Sequence, residues 1–299
     1  MTRLALLALL LAPLPASAHG GAAGYLTAEG AWSFPLEAMI PLYLAAGLYL
    51  VGTWRLWRRA GHGRGVRHWQ AACFWCGWTV LALCITSPLG LLSEQLFVAH
   101  MIEHELMVIV AAPLLVVSRP LGAFAWALPI VWRRALGRIG RWRSLAASWR
   151  WLTGAGVATL LHAATLWAWH QPDLFAAALK RDWVHWLQHV SFLVTALLFW
   201  WSIIDGRART YGPALFWLFV TILQSAFLGI LLALSPRPWI PRQTDLLAGW
   251  GLTPLQDQQL AGFVMWVPGG MVYVGVALAL AAAWIRHAGT EARRRQTYA

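Results

Sequence analysis

Charge is scarce in this chain. Only 11% of its 299 residues are Asp, Glu, Lys or Arg, against about 25% in soluble globular proteins. That argues strongly against a soluble enzyme. Three cysteines cannot build a disulfide framework. There is no P-loop, no H-E-x-x-H, no G-x-S-x-G and no dinucleotide fingerprint, so the common nucleotide, zinc-protease and hydrolase chemistries have no sequence basis. His104-Glu105 lacks the second His of a zincin motif. Paired interrupted helices in corresponding halves, the pointer to a secondary transporter, are absent too.

What is abundant is apolar. Hydrophobic residues make up 60% of the chain and there are 22 Trp; mean hydropathy is +0.58. Trp concentrates at membrane–water interfaces. The net charge of +12 would suggest nucleic acid in a soluble protein. Here the basic residues sit between apolar runs and read as topology signals instead, so no nucleic-acid partner is expected.

Met1 to Ala18 read as a secretory signal peptide: Arg3, an apolar core from Leu4 to Leu11, then Ala16-Ser17-Ala18. Cleavage there would expose His19, a residue that can chelate copper through its α-amine and ring or be incidental. Residues 19–299 form one membrane domain. A bilayer core of ~30 Å needs about 20 apolar residues per helix. Seven runs qualify, at about 36–54, 69–87, 93–117, 150–170, 183–204, 212–234 and 258–285. With the mature N-terminus outside, 18 of the 23 Lys and Arg fall on inner segments and four on outer ones, Arg3 lying in the leader. The expected fold is an all-α polytopic membrane helix bundle of seven transmembrane helices after the signal peptide, N-outside and C-inside. The segment 131–150, basic and rich in Trp, reads either as an interfacial helix on the inner surface or as a basic loop serving topology alone.

Ionisable groups inside a membrane are candidate functional sites by default. In this topology His100, His104, His162, His170, His185 and His189 all fall in the outer half of the bilayer. His100 and His104 lie roughly 10–17 Å inside the outer end of span three at 1.5 Å per residue. The pairs His100/His104 and His185/His189 are each spaced i, i+4, so each shares a helix face. Two such pairs on neighbouring helices can converge on one metal ion, copper first and haem iron second, or form a purely structural network. Met101 and Met265 are candidate soft partners, as are Met107 and Met271. Glu103 is a candidate to orient a ligand ring, or else one half of an internal ion pair or a protonated carboxyl. Asp257, followed by Gln258 and Gln259, either caps span seven or faces the His cluster from its outer mouth. Cys73, Cys76 and Cys84 form a stripe on span two that serves packing or, in a copper transporter, an inner relay. Pro113 is expected to kink span three below His104.

Four ordered blocks carry a family resemblance. They are His100-Met-Ile-Glu-His104 running into Ala111-Ala-Pro-Leu-Leu115 and Arg119-Pro120; Trp169-His170-Gln-Pro172 with Ala176-Ala-Ala178; His185-Trp-Leu-Gln-His189-Val-Ser-Phe192 leading to Phe199-Trp-Trp201; and Thr253-Pro-Leu-Gln-Asp257-Gln258-Gln259 with Gly262 and Met265-Trp-Val-Pro-Gly-Gly270. In these blocks the chain resembles the multi-span CtaG-type cytochrome c oxidase assembly factors of bacteria, not the single-span copper chaperone that shares the name. The resemblance implies a non-enzymatic factor of the bacterial plasma membrane that assembles a haem-copper oxidase, with an oxidase subunit as partner and copper as the delivered metal. It places His100, His104, His170, His189, Asp257 and Gln258 at the family's polar positions. The roles of His162, Cys73 and His19 rest on the residues alone. A copper transporter and a haem-binding redox protein are the alternatives.

Overall fold

The computed structural model describes residues 32–204, 211–239, 247 and 250–297, with side chains of the last helix as far as Thr290. The signal-peptide reading and His19 lie outside the described residues. Among those residues every regular element is helical.

The first long helix, α1 (Leu36–Ala60), ends at Gly61, whose φ of 94° terminates it. α2 (His68–Thr86) follows, and Ser87 then accepts the Leu89 N–H to start α3 (Pro88–Gln95). The third apolar run is not one smooth helix. It comprises α4 (Phe97–Glu105), a π-helical stretch Leu106–Ala111, and α5 (Ala112–Val117). Pro113, at the start of α5, has no N–H to give. In a π pattern its missing partner is the Val108 carbonyl five residues back. That carbonyl accepts the Trp200 indole N–H at 2.7 Å instead. The expected Pro113 distortion is therefore a π stretch, stabilised from another helix.

Three shorter helices, α6 (Pro120–Ala127), α7 (Ile130–Ile139) and α8 (Arg143–Leu152), lead to α9 (Ala155–Trp169). No residue of α7 or α8 is buried. The short α10 (Pro172–Lys180), then α11 (Asp182–Ile204), α12 (Tyr211–Leu234) and α13 (Pro254–Thr297) complete the chain.

Six of the described helical segments are long and apolar enough to cross a membrane. The fourth expected run corresponds to α9, which has 15 residues, or about 22 Å at 1.5 Å per residue. Large apolar side chains such as Leu83, Phe219, Leu223 and Leu278 stand exposed on the outside, as suits a protein whose solvent is lipid.

The largest core cluster joins α4, α9, α10, α11, α12 and α13 around Phe192, Phe199, Trp200, Leu218, Leu228 and Met265. Tyr273 of α13 stacks on Trp200 at 5.5 Å. α12 and α13 approach most closely at Gly229 and Gly262, where a Cβ on Gly262 would meet the Gly229 carbonyl oxygen at 2.6 Å. Small residues at such a crossing let helix backbones pack without intervening side chains.

Candidate functional site

α4 carries the centre of the site, and the cap at its start comes from elsewhere. Leu96 precedes α4 and provides no side-chain cap. Asp257 fills the role: its two carboxylate oxygens accept the N–H groups of Phe97 and Val98, at 2.7 and 2.9 Å. Asp257 is free to do so because α13 has its own capping box. Thr253 Oγ1 accepts the Gln256 N–H, and Gln256 Oε1 accepts the Thr253 N–H. By its position in the sequence, Asp257 suits either a cap on its own helix or a place facing the His cluster. It caps the helix that bears two of the cluster's rings.

The i, i+4 pairs form as expected. The ring centroids of His100 and His104 are 4.2 Å apart, and those of His185 and His189 4.3 Å. Across the two helices, His100 meets His185 at 5.8 Å and His104 meets His189 at 5.1 Å. The four rings thus form one closed group between α4 and α11. Phe175 of α10 covers His100 at 5.0 Å, and Phe192 covers His104 at 4.6 Å. Glu103 Oε1 lies 3.8 Å from His189 Nε2, an ion-pair distance beyond hydrogen-bond reach. His104 is 5% exposed, and neither of its ring nitrogens has a hydrogen-bond partner.

His162 and His170 sit beside this group rather than in it. They line a small cavity with His104, Met101, Glu105 and Met265, where α4, α9, α11, α12 and α13 meet. Its volume of about 10 Å³ suits about one water-sized occupant. His170 Nδ1 lies 2.7 Å from the Leu166 carbonyl oxygen. A carbonyl only accepts, so Nδ1 carries the proton and the buried, unpartnered Nε2 keeps its lone pair. His162 Nδ1 lies 3.3 Å from Thr195 Oγ1, whose own proton goes to the Ser191 carbonyl at 2.8 Å. Nδ1 is the donor here as well, which leaves Nε2 of His162 as the basic nitrogen. His170 also borders a larger cleft of about 300 Å³ with Trp167, Gln171, Pro172, Leu228 and Trp239.

Gln258 is not among the rings. Its side chain accepts the Trp239 N–H at 2.6 Å and donates to the carbonyls of Leu232 and Arg237, tying the turn after α12 to α13. Met107 packs in a different, apolar cluster, and Met271 is 70% exposed. The cysteine stripe divides: Cys76 is exposed, Cys73 half-buried, and Cys84 buried with its thiol 3.8 Å from the Glu103 carbonyl oxygen. Glu105 was assigned no role from the sequence. It lines the cavity, and its Oε2 lies 2.8 Å from where a Cβ on Gly269 would stand. The matching feature on the facing helix is Gly269, whose missing side chain leaves room for the carboxyl.

Among the described residues, no three His, Cys, Asp or Glu side chains are placed to hold a metal ion. The donor chemistry suits a metal, but a three-imidazole site would require the rings to draw together.

The family described as cytochrome c oxidase caa3 assembly factor (Caa3_CtaG) matches residues 47–287. The chain belongs to this family. No curated protein and no solved structure matches it. The matched region of this caa3 assembly factor runs from α1 into α13 and takes in His100, His104, His162, His170, His185 and His189 with Glu103, Glu105 and Asp257. Membership implies association with a cytochrome oxidase and a role in its assembly.

Proposed function

We propose that this assembly factor holds copper in its His-rich core and hands it to a subunit of a haem-copper oxidase in the bacterial plasma membrane. Copper is then cargo, and the protein is a membrane metallochaperone. The observation that carries the reading is His104. A buried polar group left without a partner costs about 1–3 kcal/mol. His104 leaves both ring nitrogens in that state while the imidazoles of His100 and His189 stand against it. A bound metal ion would give one of the two a partner. His100, His185 and His189 supply the neighbouring nitrogens, and Glu103 brings a carboxyl group to 3.8 Å from His189.

The same reading takes α9 as the fourth of seven spans, with the N-terminus outside, the C-terminus inside and residues 1–18 as a signal peptide. α9 is shorter than the bilayer core, and a short helix is accommodated by local thinning and by packing against neighbours; it packs here on α11 and α12. α7 and α8 then lie on the inner surface. Their exposed Val131, Trp132 and Trp151, with Trp142 between the two helices, fit the acyl boundary, and Arg133, Arg134, Arg138 and Arg143 fit the headgroups.

The deciding experiment measures copper per chain in the detergent-purified protein beside the double variant His100→Ala/His104→Ala. About one copper per parent chain, lost in the variant, is expected. No copper above background in the parent would overturn the reading and leave the rings as a packing network.

A further inference from the structure

We infer that the small cavity beside the four-His group is a seat for Cu(I), built from the thioethers of Met101 and Met265 and the imidazoles of His104 and His170. The inference rests on the proposal that copper is the cargo. It goes further by naming the oxidation state and a different ligand set, which shares His104 with the four rings.

Two methionines from different helices line this cavity, Met101 on α4 and Met265 on α13, and they are 3% and 1% exposed. Buried methionine is ordinarily a flexible core filler, and Met107 fits that description in its apolar cluster. Met101 and Met265 also belong to an apolar cluster, the largest one, but the cavity they line carries imidazole nitrogens beside its apolar wall. His104 lines it with both ring nitrogens unpartnered, and His170 lines it with Nε2 unpartnered and its tautomer set by the Leu166 carbonyl.

Thioether and neutral imidazole together favour Cu(I), whereas harder nitrogen and oxygen sets favour Cu(II). Such a mixed set needs no three converging His, Cys, Asp or Glu side chains. Glu105 borders the same space with Oε2 unpartnered, which favours a cation over an anion. The volume suits about one water-sized occupant, so the competing occupant is an ordered water bridging the same groups. His170 also borders the larger cleft beside Trp239. It is therefore the ligand from which an ion would pass outward to a receiving protein.

The test uses the full chain in detergent, loaded anaerobically with Cu(I) and, in parallel, with Ag(I) or Cu(II). X-ray absorption on the Cu(I)-loaded parent is expected to show sulfur in the copper shell. Met101→Leu/Met265→Leu, which nearly conserves volume, is expected to lose that sulfur signal and to bind Cu(I) and Ag(I) at least tenfold more weakly, with Cu(II) uptake unchanged. The single variants each keep one thioether and should fall between.

Cu(I) bound by nitrogen and oxygen alone would overturn the seat and leave copper delivery standing. So would a double variant that binds Cu(I) as the parent does, or a parent that takes up Cu(II) but neither Cu(I) nor Ag(I). Failure to bind copper in either state would remove both proposals. The parent's absorption spectrum decides the matter even if a variant does not fold.

Discussion

Asp257 and Phe97 are 160 positions apart in sequence, and the Asp257 carboxylate accepts the Phe97 N–H at 2.7 Å. The last helix thereby anchors the first turn of the helix carrying His100 and His104. An acid at a helix N-terminus also meets the positive end of the helix dipole.

Replacing Asp257 tests this anchor. Asp257→Ala should destabilise the protein by about 1–2 kcal/mol, the usual effect of losing an N-terminal cap. Asp257→Asn keeps one carbonyl acceptor and should recover part of the loss. Thermal unfolding in detergent measures both. If Asp257→Ala melts with the parent, the carboxylate contributes nothing to the cap.

The helix crossing at Gly262 makes a sharper demand. A Cβ there would meet the Ala233 backbone nitrogen at 2.5 Å and the Gly229 carbonyl oxygen at 2.6 Å. Backbone cannot move aside as a side-chain tip can. Gly262→Ala should lower stability by about 1–3 kcal/mol, the range for overpacking. Gly270→Ala has no atom within 4 Å of its Cβ and should be tolerated. Equal folded yields for the two variants would refute the close approach.

Trp200 has a role that size alone does not explain. Trp200→Phe keeps an aromatic ring but orphans the Val108 carbonyl at the π stretch. The expected cost is about 1–3 kcal/mol for a buried acceptor left unpaired. Backbone hydrogen exchange should quicken across Leu106–Ala111 ahead of other segments. Unchanged exchange there would mean that the indole does not hold the π geometry.

Topology is open to a direct measurement. With α9 counted as a span and the leader removed, seven crossings place the C-terminus inside. A fluorescent reporter that matures only in the cytoplasm, fused after Ala299, should be bright. A dark fusion that becomes active with an exported reporter would mean an even number of crossings and would remove α9 from the spans.

Much of this molecule could be read locally. Five of the seven expected runs coincide with long helices, because an apolar run of about 20 residues crosses a membrane by satisfying its own backbone as a helix. The third also appeared, but broken by a π stretch whose carbonyl is satisfied by Trp200, 92 residues away. The i, i+4 His pairs were legible for the same reason: helical periodicity alone puts those rings on one face.

The rest depended on which helices face one another, and spacing along the chain carries no such information. Only packing could assign Asp257 to α4 rather than α13, since both helix starts need a cap and both are within chemical reason. Only packing could separate His162 and His170 from the four-ring group and set them beside Met101 and Met265. Sequence determined that this is a helical, lipid-facing protein with imidazoles concentrated on three helices. Tertiary structure decided which imidazoles meet, because ring contacts of 4–6 Å follow from how helices cross.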